Sequence, residues 1–237
     1  MIAPVPLTLF VLVIAGLSAA LAAIMARAMQ WGPVASALVM VTWLALTGAL
    51  PFLFVWLDLG PAGQFPSFAL TLVLVVLLGL TKPGHRVVAA NGLAWLAAIH
   101  VFRLPLEYVL IQWNGAGFMP EQMTWRGDNL DVITGLLAIP AAVVIARDIR
   151  PRLIAFAFNA LGLAMLVNII AIVALSSPTP LRALLGGYQT KPDVLVGLYF
   201  PTVWIASVAV AGAVFLHVSS LSYLIRQSRH RTSAVPE

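Results

Sequence analysis

Seven apolar stretches, at about 6–26, 34–57, 66–81, 87–113, 129–146, 153–175 and 199–225, are divided by short polar punctuation. A helix needs roughly 20 mostly apolar residues to cross the hydrocarbon core of a bilayer. Runs of this length constrain the chain more than any motif does. The third is the shortest, because GPAGQFP (60–66) reads as a turn and leaves little apolar chain before Lys82. Composition excludes the soluble alternative: 62% of the 237 residues are hydrophobic and only 9% are charged, against about 25% charged in soluble domains. The expected fold is all-α, a polytopic transmembrane helical bundle of seven spans. One bundle covers residues 1–226, and 227–237 form a basic tail.

The first run has no basic segment before it and is longer than the apolar core of a signal peptide. It reads as a retained helix with Arg27 on its far side. Threading the spans with the N-terminus outside puts Arg27, Lys82, Arg86, Arg147, Arg150, Arg152, Arg226, Arg229 and Arg231 on the inner side. Only Arg126, Arg182 and Lys191 fall on the outer side. Positive charge collects on the cytoplasmic side, so the expected topology is N-terminus out, C-terminus cytoplasmic. The net charge of +5 therefore reflects topology and not a nucleic-acid partner. The cluster RQSRHR (226–231) is an ordinary inner flank or a contact for anionic lipid headgroups.

Within these runs one stretch stands apart. HVFRLPLEYVL (100–110) places His100, Arg103 and Glu107 inside the fourth span. At 100° per residue they lie within about 60° of one another. Facing lipid, each charge would cost roughly 2.5–3.5 kcal/mol, so this stripe faces protein or water. Arg103 and Glu107 have the i,i+4 spacing of an ion pair, and Pro105 between them is a candidate hinge or kink. Asp131, Asn168 and Trp204 fall in the same outer half and are candidates to line one outward-facing pocket. His100 sits near mid-membrane. His217 falls roughly 25 Å from the outer end, counting 1.5 Å per residue, nearer in depth to Asn159. Two histidines at unequal depths make a poor haem or metal pair.

The outer loop NGAGFMPEQMTWRGDNLDVITG (114–135) is the most polar region. Asp128 and Asp131 have the spacing of an N-cap and a capping-box acid. Glu121, Asp128, Asp131 and Glu107 alternatively offer oxygen ligands to a hard cation. The later loop, 176–201, has the length of a lid, and Tyr188, Tyr199 and Trp204 suit interfacial anchoring. On the first helix, Ala15, Ala19 and Ala23 form a small-residue face. It permits close packing within the bundle, in a helix-packed oligomer or against a partner subunit.

MTWRGDNLDVITG (123–135), FPTVW (200–204) and HVSSL (217–221) together resemble an uncharacterised group of bacterial multi-pass membrane proteins, over about residues 100–225. The group's acidic residue at the position of Arg126 is missing here, as is its proline soon after Trp204. The resemblance implies a helical bundle in the bacterial inner membrane and no particular activity.

No cofactor follows from the sequence. The last span lacks the lysine a retinal Schiff base requires, Lys191 preceding it, and there is no haem or zinc motif. No soluble-type catalytic fingerprint is present. Three functions stay open. The leading one is a small-solute or ion/proton transporter, with Arg103 and Glu107 binding or gating. The next is a non-catalytic membrane subunit or sensor with a structural Arg103–Glu107 pair. Last stands a membrane enzyme acting on a lipid or isoprenoid, with His100 and the outer carboxylates as acid and base.

Overall fold

The computed structural model describes residues 4–59, 61–178, 180–187, 193 and 196–232. Tyr188, Lys191 and the tail beyond Thr232 lie outside the described residues, as do the side chains of His230 and Arg231. Among the described residues there is no strand. The helices are α1 (Pro4–Met29), α2 (Pro33–Trp56), α3 (Phe65–Leu80), α4 (Lys82–Asn91), α5 (Leu93–Ala98), α6 (Arg103–Gly115), α7 (Val132–Ala146), α8 (Pro151–Ser176), α9 (Pro180–Leu185) and α10 (Ala211–Thr232). A 3₁₀ turn, Ile99–Phe102, joins α5 to α6, and a π-helical turn, Ile205–Val210, leads into α10.

Five helices are long and apolar enough to cross a membrane, or six if α3 and α4 count as one broken span. This is the pattern of an integral membrane protein. The outward-facing residues agree: Val34, Leu38, Leu46, Phe52, Val55 and Trp56 on α2 are all exposed, a surface suited to lipid and not to water. α10 is the most enclosed candidate span and α2 the least. α10 packs on α3, α4 and α8, while α1 packs on α2, α4 and α6. The main core gathers between them around Phe10, Ile14, Trp113, Leu166 and Leu216.

Several expected boundaries move, each for a local reason. The third run ends at Leu80, and α4 follows at a bend of 66°. Thr81 is extended there, with φ −106° and ψ −177°. Gly84 presses so closely on the Gly79 backbone that a side chain would collide with it. The helix expected over 87–113 breaks at Gly92, whose φ of +78° belongs to glycine, and Leu93–Gly115 is the candidate span. The fifth run yields only 15 helical residues, Val132–Ala146, roughly 22 Å of helix. It follows that α7 falls short of a full bilayer core. The last span starts at Ile205 and not at 199.

Candidate functional site

The 3₁₀ turn builds the site. Side chains three apart eclipse in a 3₁₀ helix, so Ile99–Phe102 aligns His100 with Arg103 at the start of α6. Pro105 then falls in the first turn of α6, where its missing N–H costs least. Thus the change of helical register sits ahead of the proline, at residues 99–102.

Four helices converge on this turn. Arg103 is 2% exposed and forms an ion pair with Asp131, which immediately precedes α7. Its second terminal nitrogen, Nη2, lies 3.3 Å from His217 Nε2 on α10. The other ring nitrogen of His217, Nδ1, is 2.8 Å from Asn159 Oδ1 on α8. Asn159 Nδ2 donates to the Ala155 carbonyl at 2.7 Å. A guanidinium can only donate, so His217 Nε2 must accept. Nδ1 then carries the ring proton and donates to Asn159. Every direction in the chain is therefore fixed, from Asp131 through Arg103, His217 and Asn159 to a backbone carbonyl.

His100 stacks on His217, with ring centroids 4.0 Å apart and 7° between planes. Phe158 stands 5.8 Å from both rings. Both histidines are fully buried, yet neither ring nitrogen of His100 has a partner among the described residues. Two glycines allow this density. A side chain on Gly162 would overlap the His217 ring, and one on Gly135 would come within 3.1 Å of Arg103 Cβ.

Glu107 occupies a second station nearby. Its Oε1 accepts the Trp125 backbone N–H at 2.7 Å, and Oε2 faces Asn129 Nδ2 at 3.4 Å. Asn129 Oδ1 in turn accepts the Asp131 N–H at 3.1 Å. Arg103 and Glu107 are thus joined through Asn129 and Asp131, and the direct pair expected from i,i+4 spacing does not form. The capping-box reading is corrected too. Asp131 makes no side-chain cap bond, because its carboxylate is committed to Arg103.

The remaining candidates lie elsewhere. Asn168 Nδ2 donates to the Asp128 carbonyl at 2.7 Å and ties α8 to the loop that precedes α7. Trp204 Nε1 donates to the Leu44 carbonyl on α2 at 3.1 Å, and its ring meets Phe200 edge-on. Neither joins the polar centre. No group of three or more His, Asp or Glu side chains that could hold a metal comes together among the described residues. Glu107 and Asp131, offered as cation ligands, turn instead to nitrogen donors.

His217 is the main residue that the depth count misplaced. A last helix starting at residue 199 puts His217 too deep; the helix begins at Ile205, which lessens each depth along it by roughly 9 Å. With the corrected start, His217 comes level with His100. Asn129, Asn159 and Gly162 carried no signal of their own in the sequence, beyond the depth match of Asn159 to His217.

A family model described as a domain of unknown function (DUF8737) matches residues 64–225. No curated protein and no solved structure matches the chain.

Proposed function

For this chain, which belongs to the DUF8737 family, a domain of unknown function, we propose a proton-translocating membrane protein centred on His100, Arg103, Asp131 and His217. The observation that carries the reading is the fully buried His100 ring, stacked on a hydrogen-bonded histidine and with neither nitrogen partnered among the described residues. Imidazole can take up a proton on one ring nitrogen and release it from the other, and ionisable groups within spans are characteristic of relays. Asp131 keeps 18% exposure while Arg103 keeps 2%, which supports access to the centre from the Asp131 side. Arg103 stays charged throughout. The exchangeable positions are the Asp131 carboxylate and the His100 nitrogens; a proton passing from one to the other travels on water, while Arg103, paired with Asp131 and bonded to the His217 on which His100 stacks, couples the two by charge.

The same reading has seven crossings, with α7 as a short fifth crossing shielded by α5 and α8, and the C-terminus cytoplasmic. Asp131 then opens to the outside. A C-terminal fusion reporter should be active on the cytoplasmic side; activity on the outer side would remove the seven-crossing arrangement.

The test of function is flux. Purified protein in liposomes holding a pH-sensitive dye, with a potassium–valinomycin potential imposed, should acidify the lumen faster than empty liposomes. His100→Phe keeps an aromatic ring in the stack but removes both nitrogens, so it should abolish flux in a folded protein. Equal flux in wild type and His100→Phe would sink the relay. The packing of Gly162 on His217 favours a second reading, a non-catalytic subunit or sensor whose polar centre locks the bundle. That reading expects no wild-type flux and a large loss of stability when the centre is cut.

A further inference from the structure

We propose that the crevice between α2, α3, α8 and the π-helical turn binds a single-chain amphiphile by its uncharged hydroxyl head, with Gln64 as the hydrogen-bond acceptor. The crevice has two compartments. An apolar cavity of about 90 Å³ is walled by residues including Thr47, Phe68, Val173, Gly197 and Ile205. A second, of about 190 Å³, lies against Pro51, Val55, Tyr199 and Phe200. Gln64 and Leu198 belong to both walls, so Gln64 stands beside both cavities.

Gln64 is only 5% exposed. Its Nε2 donates to the Leu198 carbonyl, which can only accept, so the amide cannot be turned round. Oε1 is left without a donor among the described residues. A buried acceptor in that state is costly, and a ligand hydroxyl would satisfy it.

The other polar groups of the wall select the same chemistry. Thr47 Oγ1 donates to the Trp43 carbonyl at 2.8 Å, Thr71 Oγ1 to Ser67 at 2.9 Å, and Ser207 Oγ to Val203 at 3.2 Å. These hydroxyls have used their hydrogens and offer only lone pairs. Pro51, inside α2, has no N–H to give the Thr47 carbonyl. Ser67 and Ser177 also line this wall, but Gln64 Oε1 is the buried lining acceptor left without a donor among the described residues, and the ligand must bring that donor. Among the described residues no charged side chain lines either compartment, so an ionic head would lose its hydration without compensation from them.

The π-helical turn adds a reason to regard this wall as built for a ligand. Single π turns concentrate at functional sites, and Ile205, Ala206, Ser207 and Val210 of this one line the cavity. Trp43 Nε1 holds the turn in place by donating to the Ser207 carbonyl at 2.9 Å.

The test uses the full-length protein in detergent with three probes of one chain length: 1-monooleoylglycerol, methyl oleate and sodium oleate. Titration calorimetry should give the tightest binding for monooleoylglycerol. Gln64→Leu should weaken it about tenfold, the equivalent of one net hydrogen bond, and leave methyl oleate unchanged. A side chain at Gly197 would enter open space, so Gly197→Leu should fold, fill the cavity and weaken both esters. Should Gln64→Leu fail to fold, Gly197→Leu decides. Unchanged monooleoylglycerol affinity in either folded variant overturns the proposal, as does tighter binding of oleate or methyl oleate by the wild type.

Discussion

Asp131→Asn cuts the buried ion pair while leaving the shape of the side chain. Breaking a buried pair by removing one partner costs about 3–5 kcal/mol, most of it from the charge left behind. The stranded charge here is Arg103, 2% exposed, while Asp131 keeps 18%. Partial access to water places the cost at the lower end, about 3 kcal/mol. For a chain of this size each kcal/mol moves the midpoint roughly 2–4 °C, so the expected fall is about 6–12 °C. Glu107→Gln gives the contrast. It keeps an oxygen for the Trp125 N–H and disturbs only the 3.4 Å contact to Asn129, a loss of about 1 kcal/mol. The assay is thermal unfolding in one detergent for Asp131→Asn, Glu107→Gln, Arg103→Met and the two doubles with Arg103→Met. Removing both partners of a buried pair is far less costly than removing one. Arg103→Met/Asp131→Asn should therefore recover most of the Asp131→Asn loss, while Arg103→Met/Glu107→Gln should be additive. Strong coupling of Arg103 to Glu107, with none to Asp131, would refute the assignment.

Two further substitutions probe the packing around the centre. Gly162→Ala drives a methyl into the His217 ring and should cost roughly 1–3 kcal/mol, as in overpacked cores. Gly16→Ala, where the new methyl meets open space, should leave the midpoint unchanged or slightly raised; equal effects at both sites would contradict the close approach of α8 to His217. Thr134 is fully buried and its hydroxyl has no partner among the described residues. Thr134→Val should accordingly raise stability by about 1 kcal/mol, and a fall would mean that the hydroxyl is engaged.

The helical membrane class was legible because it rests on length and apolarity, which the runs at 6–26, 34–57 and 153–175 display directly. Boundaries were less so. Asn91–Gly92 is a turn signal overlooked inside an apolar run, the π-helical turn is marked only by Ser207, and the bend at Thr81 depends on two glycines meeting in space. The site was half visible. HVFRLPLEYVL drew attention to His100, Arg103 and Glu107 because buried charge is costly wherever it occurs. Its partners were not legible, since i,i+4 spacing favours Arg103–Glu107 only if nothing better approaches. Asp131 approaches Arg103, Trp125 and Asn129 approach Glu107, and those approaches are tertiary. His100 and His217 were set at different depths by a helix start six residues too early.

A directed chain of contacts runs from Asp131 through Arg103 and His217 to Asn159. The tautomer of His217 reports on it most directly. Nitrogen NMR on ¹⁵N-histidine-labelled protein, with the His217 signal identified by its absence in His217→Gln, distinguishes which ring nitrogen is protonated. The chain predicts a neutral ring with the proton on Nδ1 and an unprotonated Nε2 facing Arg103. A proton on Nε2 would contradict it, because Arg103 has no lone pair to accept one.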